Sequence, residues 1–340
     1  IEEIIVTAQK RAQSLQDVPI SLAVISGDVL ANNSIKSFEE LGQYVPNLFV
    51  TKTPGADQIT MRGIGSGAGS PSLDQSVVMF IDGVYAGNSR QFTAPFLDIE
   101  RMEILRGPQG ALVGKNTSAG AINIITKRPG TEMEGYVRAE YDFDLNGAKV
   151  ETAATLPLAD NFSVRVAAKY SDFDGWVYNT LSSRNEPQRE ETVGRVTARY
   201  VTDMVDATLK YEHTDLNVDG NVFQIVSTIA NRPINLVKET GSPFFGPEFD
   251  DVETDNVAAN VDFKLGDFTL SSITGYSNYN SDQREDADFI EKDLAYAVFQ
   301  EDFEQTSQEL RLLSPTDGSF DFVLGGYWHN SKLHERRVTG

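Results

Sequence analysis

At 340 residues the chain can hold two domains, and its 29 Lys plus Arg against 50 Asp plus Glu leave a formal net charge of −21. That balance argues against nucleic acid or an anionic surface as partner, although it leaves a lipopolysaccharide-facing protein open. There is no cysteine, which excludes disulfides, thiolate chemistry and cysteine metal sites, and no apolar run is long enough to cross a bilayer as a helix, so a membrane role would have to use strands. The first residue is Ile1, with neither an initiator Met nor a signal-like apolar stretch, as expected of a processed or trimmed form. Residues 1–9 are rich in β-branched side chains, precede Lys10 and Arg11, and read as an exposed, strand-capable tail with no partner element nearby. A short strand is expected over 18–25, broken at Ser26, Gly27 and Asp28. Ile35, Phe38, Leu41 and Val45 then fall at helical spacing, which predicts one amphipathic helix over 35–45 with Ser34 as N-cap.

After Pro46, strands are expected over 48–51, 58–62, 77–81, 102–105 and 121–125. The last four, with the helix packed on them, should form one small sheet, since their apolar spacing requires a shared core. Polar or glycine-rich tips over 53–57, 65–71 and 88–92 separate them, of the kind that carries binding function on a rigid scaffold. The last two strands flank a turn system in which Gly107, Gly110, Gly114 and Gly120 supply positive φ or close backbone approach. This is no phosphate-binding P-loop: Asn116 follows Lys115 where Ser or Thr would have to hold magnesium.

Beyond Pro129 and Gly130 the pattern changes to long strands of period two, over 134–145, 148–158, 162–173, 192–202, 205–216, 256–265, 268–280, 304–313 and 320–331. That makes about nine strands of transmembrane length. Phe162, Val164, Val166, Ala168 and Tyr170 share one face, while Ser163, Arg165, Ala167 and Lys169 share the other. A soluble sandwich also alternates, but here short and long connections alternate too, as in outer-membrane barrels with periplasmic turns and extracellular loops. Tyr170, Tyr200, Tyr211, Tyr276 and Trp328 lie on the apolar faces, consistent with aromatic girdles. A barrel that encloses a plug needs about 22 strands, so the chain is expected to be an N-terminal portion with an incomplete barrel.

No catalytic constellation is present: the three histidines, His213, His329 and His334, come with no nucleophile motif, and an enzyme is not expected. The acidic stretch 282–293 lacks the calcium-loop spacing and reads as a solvated loop, so no metal site or cofactor is expected.

The stretch 101–128 resembles, along its whole length, the plug-domain signature of TonB-dependent outer-membrane receptors, with Arg106-Gly107-Pro108, an L-x-G at 112–114 and G-A-I-N-I-I-T-K at 120–127. The resemblance extends upstream to I-T-M-R-G at 59–63, F-I-D-G-V-Y at 80–85 and I-I-V-T-A at 4–8. Val113 departs from it, standing where the family usually carries Tyr. The resemblance implies an α+β plug domain followed by antiparallel transmembrane β-barrel strands, divided as a coupling tail at 1–17, plug at 18–130 and barrel at 131–340. It further implies a Gram-negative outer-membrane importer with three partners: the periplasmic TonB C-terminal domain, outer-membrane lipid and lipopolysaccharide, and a scarce ligand, a ferric siderophore first. An importer of oligosaccharides or aromatic compounds, or a non-transporting surface or signal-relay receptor, is the alternative. Residues Ile4, Ile5, Val6, Thr7 and Ala8 would be the coupling box, offered for strand addition. Lys52, Ser66, Ser70, Arg90, Gln91 and Phe92 would lie on the plug apices facing the ligand.

One expectation concerns how the plug is held. Arg62 and Arg106 each precede glycine on plug strands and should project toward the barrel wall, where a partly desolvated arginine needs a carboxylate. Leu310 and Leu312 suit lipid, so Glu309 should point inward, and S-Q-E-L-R-L resembles a recurring family barrel strand. Glu309 is therefore the expected latch for Arg62 and Arg106.

Overall fold

The structure is a computed structural model and describes residues 5–7, 10–33, 35, 37–51, 58–65, 75–92, 96–110, 114, 116–223, 237–238, 246–289, 294–316 and 320–340. At the N-terminus, β1 (Ile5–Val6) pairs antiparallel with β2 (Gln13–Ser14). Strand β3 (Leu22–Ser26) runs straight into helix α1 (Gly27–Asn32), because the Ser26 hydroxyl accepts from the Val29 amide and caps the first turn. The residues read as a strand breaker thus start a helix.

The expected helix is shorter than its apolar stripe. Helix α2 (Phe38–Tyr44) starts at Ser37, whose hydroxyl accepts from the Glu40 amide, while Ser34 lies outside the described residues. Strands β4 (Leu48–Thr51), β5 (Gln58–Met61) and β6 (Ile64–Gly65) follow, then β7 (Val77–Ile81), β8 (Val84–Ala86), β9 (Ile99–Arg106) and β10 (Gly120–Thr126).

The plug strands form two sheets rather than one. A five-stranded sheet has the order β3-β9-β10-β7-β8, whereas β5 pairs with β4 and β6 in a separate sheet. The expectation of a single sheet is corrected. The shared core that prompted it exists nonetheless: Ile59 and Met61 of β5 are buried in one cluster with Met79, Ile104, Ile122, Phe38 and Leu41. Apolar spacing identified which faces meet, but packing face to face and pairing edge to edge bury the same side chains. At the start of β10, a Cβ on Gly120 would lie 2.4 Å from both the Leu105 carbonyl oxygen and the Met61 sulfur, so this close approach of the two sheets requires glycine.

The remaining strands are β11 (Glu134–Asp142), β12 (Gly147–Ala159), β13 (Phe162–Phe173), the small hairpin β14 (Val177–Asn179) and β15 (Arg184–Glu186), β16 (Gln188–Val201), β17 (Val205–Asp219), β18 (Val237–Lys238), β19 (Phe249–Leu265), β20 (Phe268–Asp286), β21 (Tyr296–Leu313) and β22 (Val323–Thr339). Nine of them form one antiparallel sheet in the order β11-β12-β13-β16-β17-β19-β20-β21-β22, whose two edges are not joined to each other. The long strands extend past the expected ends toward the long connections. Those extensions carry polar residues on both faces, such as Asp250 and Thr254 on one face of β19 and Asp251, Glu253 and Asp255 on the other, so apolar alternation stops where the pairing continues.

This sheet is inside out relative to a soluble sandwich. On β13, Val166 and Tyr170 are 43% and 45% exposed while Arg165 and Lys169 are 2% and 6% exposed. The apolar face points away from the protein and the charged face wraps the plug, as a membrane barrel requires. The five aromatic residues assigned to the girdles are all exposed on this sheet. No helix among the described residues is long and apolar enough to cross a membrane.

Candidate functional site

The site is the contact between plug and barrel wall, and it begins with the N-terminal segment. Val6 is fully buried, and the Thr7 amide donates to Glu103 Oε1 at 3.0 Å, with the Thr7 hydroxyl 3.3 Å from the same oxygen. Glu103 lies on β9, is itself fully buried, and also accepts from Arg101 Nε at 2.9 Å and Asn123 Nδ2 at 3.2 Å. A buried carboxylate is tolerated only when so paired. Lys10 Nζ lies 2.5 Å from Glu309 Oε1, and the Arg11 guanidinium donates to the carbonyls of Ser314 and Phe322, both at 3.0 Å. The expectation of a tail without local partners is therefore overturned for Ile5, Val6 and Thr7, and that of exposure for Val6, whereas Ile5 is exposed; Ile4 and Ala8 lie outside the described residues. Isolated β-branched residues gave no sign of a carboxylate almost a hundred positions away.

Glu309 does point inward, as its alternation with Leu310 indicated, and is 7% exposed. Its carboxylate is held by Arg311 Nε and Nη2, both at 2.7 Å, and by Lys10. No ion pair among the described residues joins it to Arg62 or Arg106, so the latch assignment is corrected: the plug-side cation is Lys10. The two cations already bound satisfy the carboxylate, whereas Arg62 sits exposed beyond β5, in the second sheet, with a guanidinium nitrogen 3.0 Å from where a Cβ on Gly107 would be. Arg106 Nε is buried without a hydrogen bond.

At the opposite end of the plug, Arg90 and Gln91 do not face a ligand vestibule. They are 5% and 2% exposed. Arg90 donates to Asp250 at 2.8 Å and to Gln283 at 3.0 Å, and its Nε lies 3.6 Å from Glu301, so it anchors the apex to β19, β20 and β21. A cation adjacent to three wall strands is drawn to their carboxylates. Lys52, Ser66, Ser70 and the Phe92 side chain lie outside the described residues.

Between these ends runs a chain of buried charges that sequence reasoning missed. Asp82 and Gly83 both take positive φ, 50° and 84°, in the two-residue turn between β7 and β8. The Asp82 carboxylate accepts from the Thr126 amide and hydroxyl, both at 2.8 Å, and from Lys210 of β17. Asp98 receives Arg165 bidentately at 2.6 and 2.7 Å, and Arg195 bridges Glu212 at 2.5 Å to the Leu97 carbonyl at 2.8 Å. Period-two alternation already placed Arg165 on the inward face of β13, which was the available signal; its partner in the plug lay beyond it. Of the acidic stretch 282–293, Asp282, Glu285 and Asp286 belong to β20 rather than to a loop, and Glu291 and Asp293 lie outside the described residues. His329 sets its ring 5.5 Å from that of Tyr85, a further plug–wall contact.

Burial alone would raise the pKa of Asp82, but the Lys210 ammonium, the Thr126 amide and nearby Arg195 hold it below its ordinary value of 3.8. A carboxyl whose folded pKa is depressed contributes stability above the unfolded value, and that contribution is lost as pH falls through the folded value. Asp82→Asn is therefore expected to lower the melting temperature at neutral pH. The difference from wild type should shrink in an acid series below the ordinary carboxylate range; a gap independent of pH there would count against the pairing.

Gly275 faces inward on β20. A Cβ built there would lie 2.3 Å from a Val84 methyl and 2.9 Å from the Ser307 hydroxyl. Gly275→Leu is expected to overpack this seat by about 1–3 kcal/mol and tilt the β7–β8 hairpin off the wall. Entry of an antibiotic too large for porins should then rise in cells carrying the variant, and unchanged sensitivity would show that the wall yields instead.

The family described as "TonB-dependent Receptor Plug Domain" matches residues 14–121, which cover the plug from β2 to the start of β10. Over residues 14–121 the chain carries the plug domain of the TonB-dependent receptors. Among relatives of this receptor, the "Iron-regulated outer membrane virulence protein" of Vibrio cholerae serotype O1 is 27% identical over 223 residues, covering 62% of this chain and 32% of that protein. The "Vitamin B12 transporter BtuB" of Vibrio vulnificus is 32% identical over 132 residues, 37% of this chain and 20% of that protein. In fold, the receptor is similar to the crystal structure of the ferric yersiniabactin uptake receptor FyuA from Yersinia pestis, with a TM-score of 0.82 at 20% identity over 94% of this chain and 50% of that one. The receptor chain thus spans about a third or less of these curated relatives and half of that solved structure.

Proposed function

We propose that the whole receptor sits in the outer membrane of a Gram-negative bacterium, captures a scarce ligand, and imports it with energy delivered by the C-terminal domain of periplasmic TonB. A ferric siderophore is the first choice of ligand. The observation that carries this reading is the position of Ile5 to Thr7, docked beside the short turns of a plugged sheet, at the opposite end from Arg90. A pull applied there acts directly on the plug through Glu103, on its second strand in chain-paired order, and on the wall through Glu309. The siderophore assignment is supported by relatives named for iron and ferric-chelate uptake. Lys52, Ser66, Ser70 and Phe92 keep their place in this proposal as apical ligand contacts, while Arg90 and Gln91 anchor the apex. The division at 1–17, 18–130 and 131–340 belongs to the same reading. Outward apolar and tyrosine side chains suit lipid and the base of lipopolysaccharide, and no bond chemistry is involved.

The test is uptake of iron-55 by cells expressing the receptor, presented as ferric yersiniabactin, ferripyoverdine and ferrichrome, with labelled vitamin B12 alongside. Energy-dependent accumulation of one ferric chelate is expected. Binding without accumulation would favour a relay receptor, and neither binding nor uptake of any of the four would favour an oligosaccharide or aromatic ligand.

A further inference from the structure

The inward face of the wall is not uniformly charged. On β11 to β16 each central carboxylate is shared between two cations: Glu151 lies 3.3 Å from Lys149 and 3.8 Å from Arg138, and Glu191 pairs with both Lys169 and Arg189. On β19 to β21 the relation is reversed. Toward the long connections these strands turn Asp250, Gln283, Glu285 and Glu301 inward, while period two sends Arg284 to the other face, with its guanidinium 5.7 Å from the Phe249 ring. The positive charge on this side comes instead from the plug. Arg90, on the short turn Ser89–Phe92, is committed to Asp250, Gln283 and Glu301.

Glu285 is left over. It is 9% exposed, and among the described residues neither a hydrogen bond nor an ion pair reaches its carboxylate. Continuing the register of Phe249 with Arg284, buried Glu248 lies beside it, and that carboxylate accepts from Asn221 at 2.6 Å and from the Asp286 amide at 3.1 Å. A carboxylate nine-tenths buried is tolerated in its charged form only where a cation meets it. Glu285 stands beyond the girdle residue Tyr276 on the long-connection side, outside the membrane-spanning part of β20, and burial together with Glu248, Asp250 and Asp286 pushes its pKa up to about 7 despite Arg90. Among the described residues no three acidic or histidine side chains converge to hold a metal ion, so a metal is not the counter-charge this cluster is shaped for.

Resting on the proposed import function, we infer that Glu285 is a specificity residue of the ligand site: it accepts a cationic group on the ligand, an alkylammonium or a guanidinium, beside the apex that Arg90 anchors. Arg90 shows how a guanidinium sits on this wall, and the ligand's cation takes the carboxylate that Arg90 leaves. Glu248 and Asp250 add attraction, and β19 to β21 bring no inward cation to oppose it. Positively charged or zwitterionic chelates are favoured by this arrangement and anionic ones are disfavoured.

The test begins on the purified receptor with agmatine, which carries a guanidinium and an ammonium on one short chain. At mildly alkaline pH, millimolar agmatine should raise the melting temperature of the wild type by about 2 °C and leave that of Glu285→Gln unmoved. Sodium chloride of equal ionic strength and magnesium chloride should not reproduce the shift. No response in the wild type, the same response in Glu285→Gln, or an equal response to magnesium overturns the inference. The variant is checked without a ligand. A carboxyl whose folded pKa is raised loses stability as pH rises from its ordinary value of 4.5 through about 7, so Glu285→Gln should melt above the wild type in alkali and level with it in acid. A variant that melts lower at every pH would place Glu285 in the packing of the wall and likewise overturn the inference. The second readout ties the carboxylate to the ligand: for whichever iron-55 chelate wild-type cells import, Glu285→Gln should bind several-fold more weakly, and agmatine should compete with the wild type alone. Unchanged binding by the variant, or stabilisation by agmatine without competition, overturns the assignment to the ligand site. Failure to import any chelate counts against the proposed function itself, while the melting series still decides whether Glu285 takes an organic cation.

Discussion

Arg165→Met is expected to destabilise the seated plug by about 3–5 kcal/mol, the cost of leaving a buried charge without its partner. Arg165 and Asp98 are 2% and 7% exposed, and the guanidinium holds both carboxylate oxygens while also donating to Thr155 at 2.7 Å. Removing it strands the carboxylate at the boundary between plug and wall. The double variant with Asp98→Asn should recover most of the loss, since the buried charge disappears with its partner. Asparagine is the appropriate replacement because Asp98 has φ of 47°, a conformation that Asn tolerates and most residues do not. Calorimetry of the purified receptor measures both effects. A single variant that melts with wild type would mean that the ion pair contributes nothing, and a double variant no better than the single would mean that the arginine acts through packing alone.

Val6→Pro is expected to abolish energy-dependent uptake while leaving ligand binding to whole cells within about twofold of wild type. Proline lacks the amide that a strand partner would need and fixes φ, so it removes both the docked pairing with Gln13 and the strand addition proposed for TonB. Val6 lies at the short-turn end, away from the apex held by Arg90, so the outward ligand surface should be untouched. Uptake at the wild-type rate would show that the coupling contact lies elsewhere. Loss of both uptake and binding would show that the buried Val6 side chain supports the plug as a whole.

The plug strands at 77–81 and the wall strand at 162–173 were legible to the residue, because each is bounded by glycine or polar turns and has an unbroken pattern. So was the inward direction of Glu309, which follows from the pleat alone. The partners were not legible. Lys10 and Glu309 are separated by 299 positions and Arg165 and Asp98 by 67, and which inward cation meets which carboxylate depends on the rotation of the plug within the wall.

Local sequence determined the class of this protein: period-two strands with alternating connection lengths, an outward apolar face, and a glycine-rich plug signature that needs positive φ at Gly107 and Gly114. These properties are set within a few residues by backbone sterics and by the sorting of side chains between lipid and interior. Only the tertiary structure decided that β5 leaves the main plug sheet, that the N-terminal segment docks on Glu103, and that Arg90 turns into the wall. Each of those outcomes is a choice among several partners of the same chemistry, and a buried charge takes whichever complementary group the packed surfaces bring within hydrogen-bond reach.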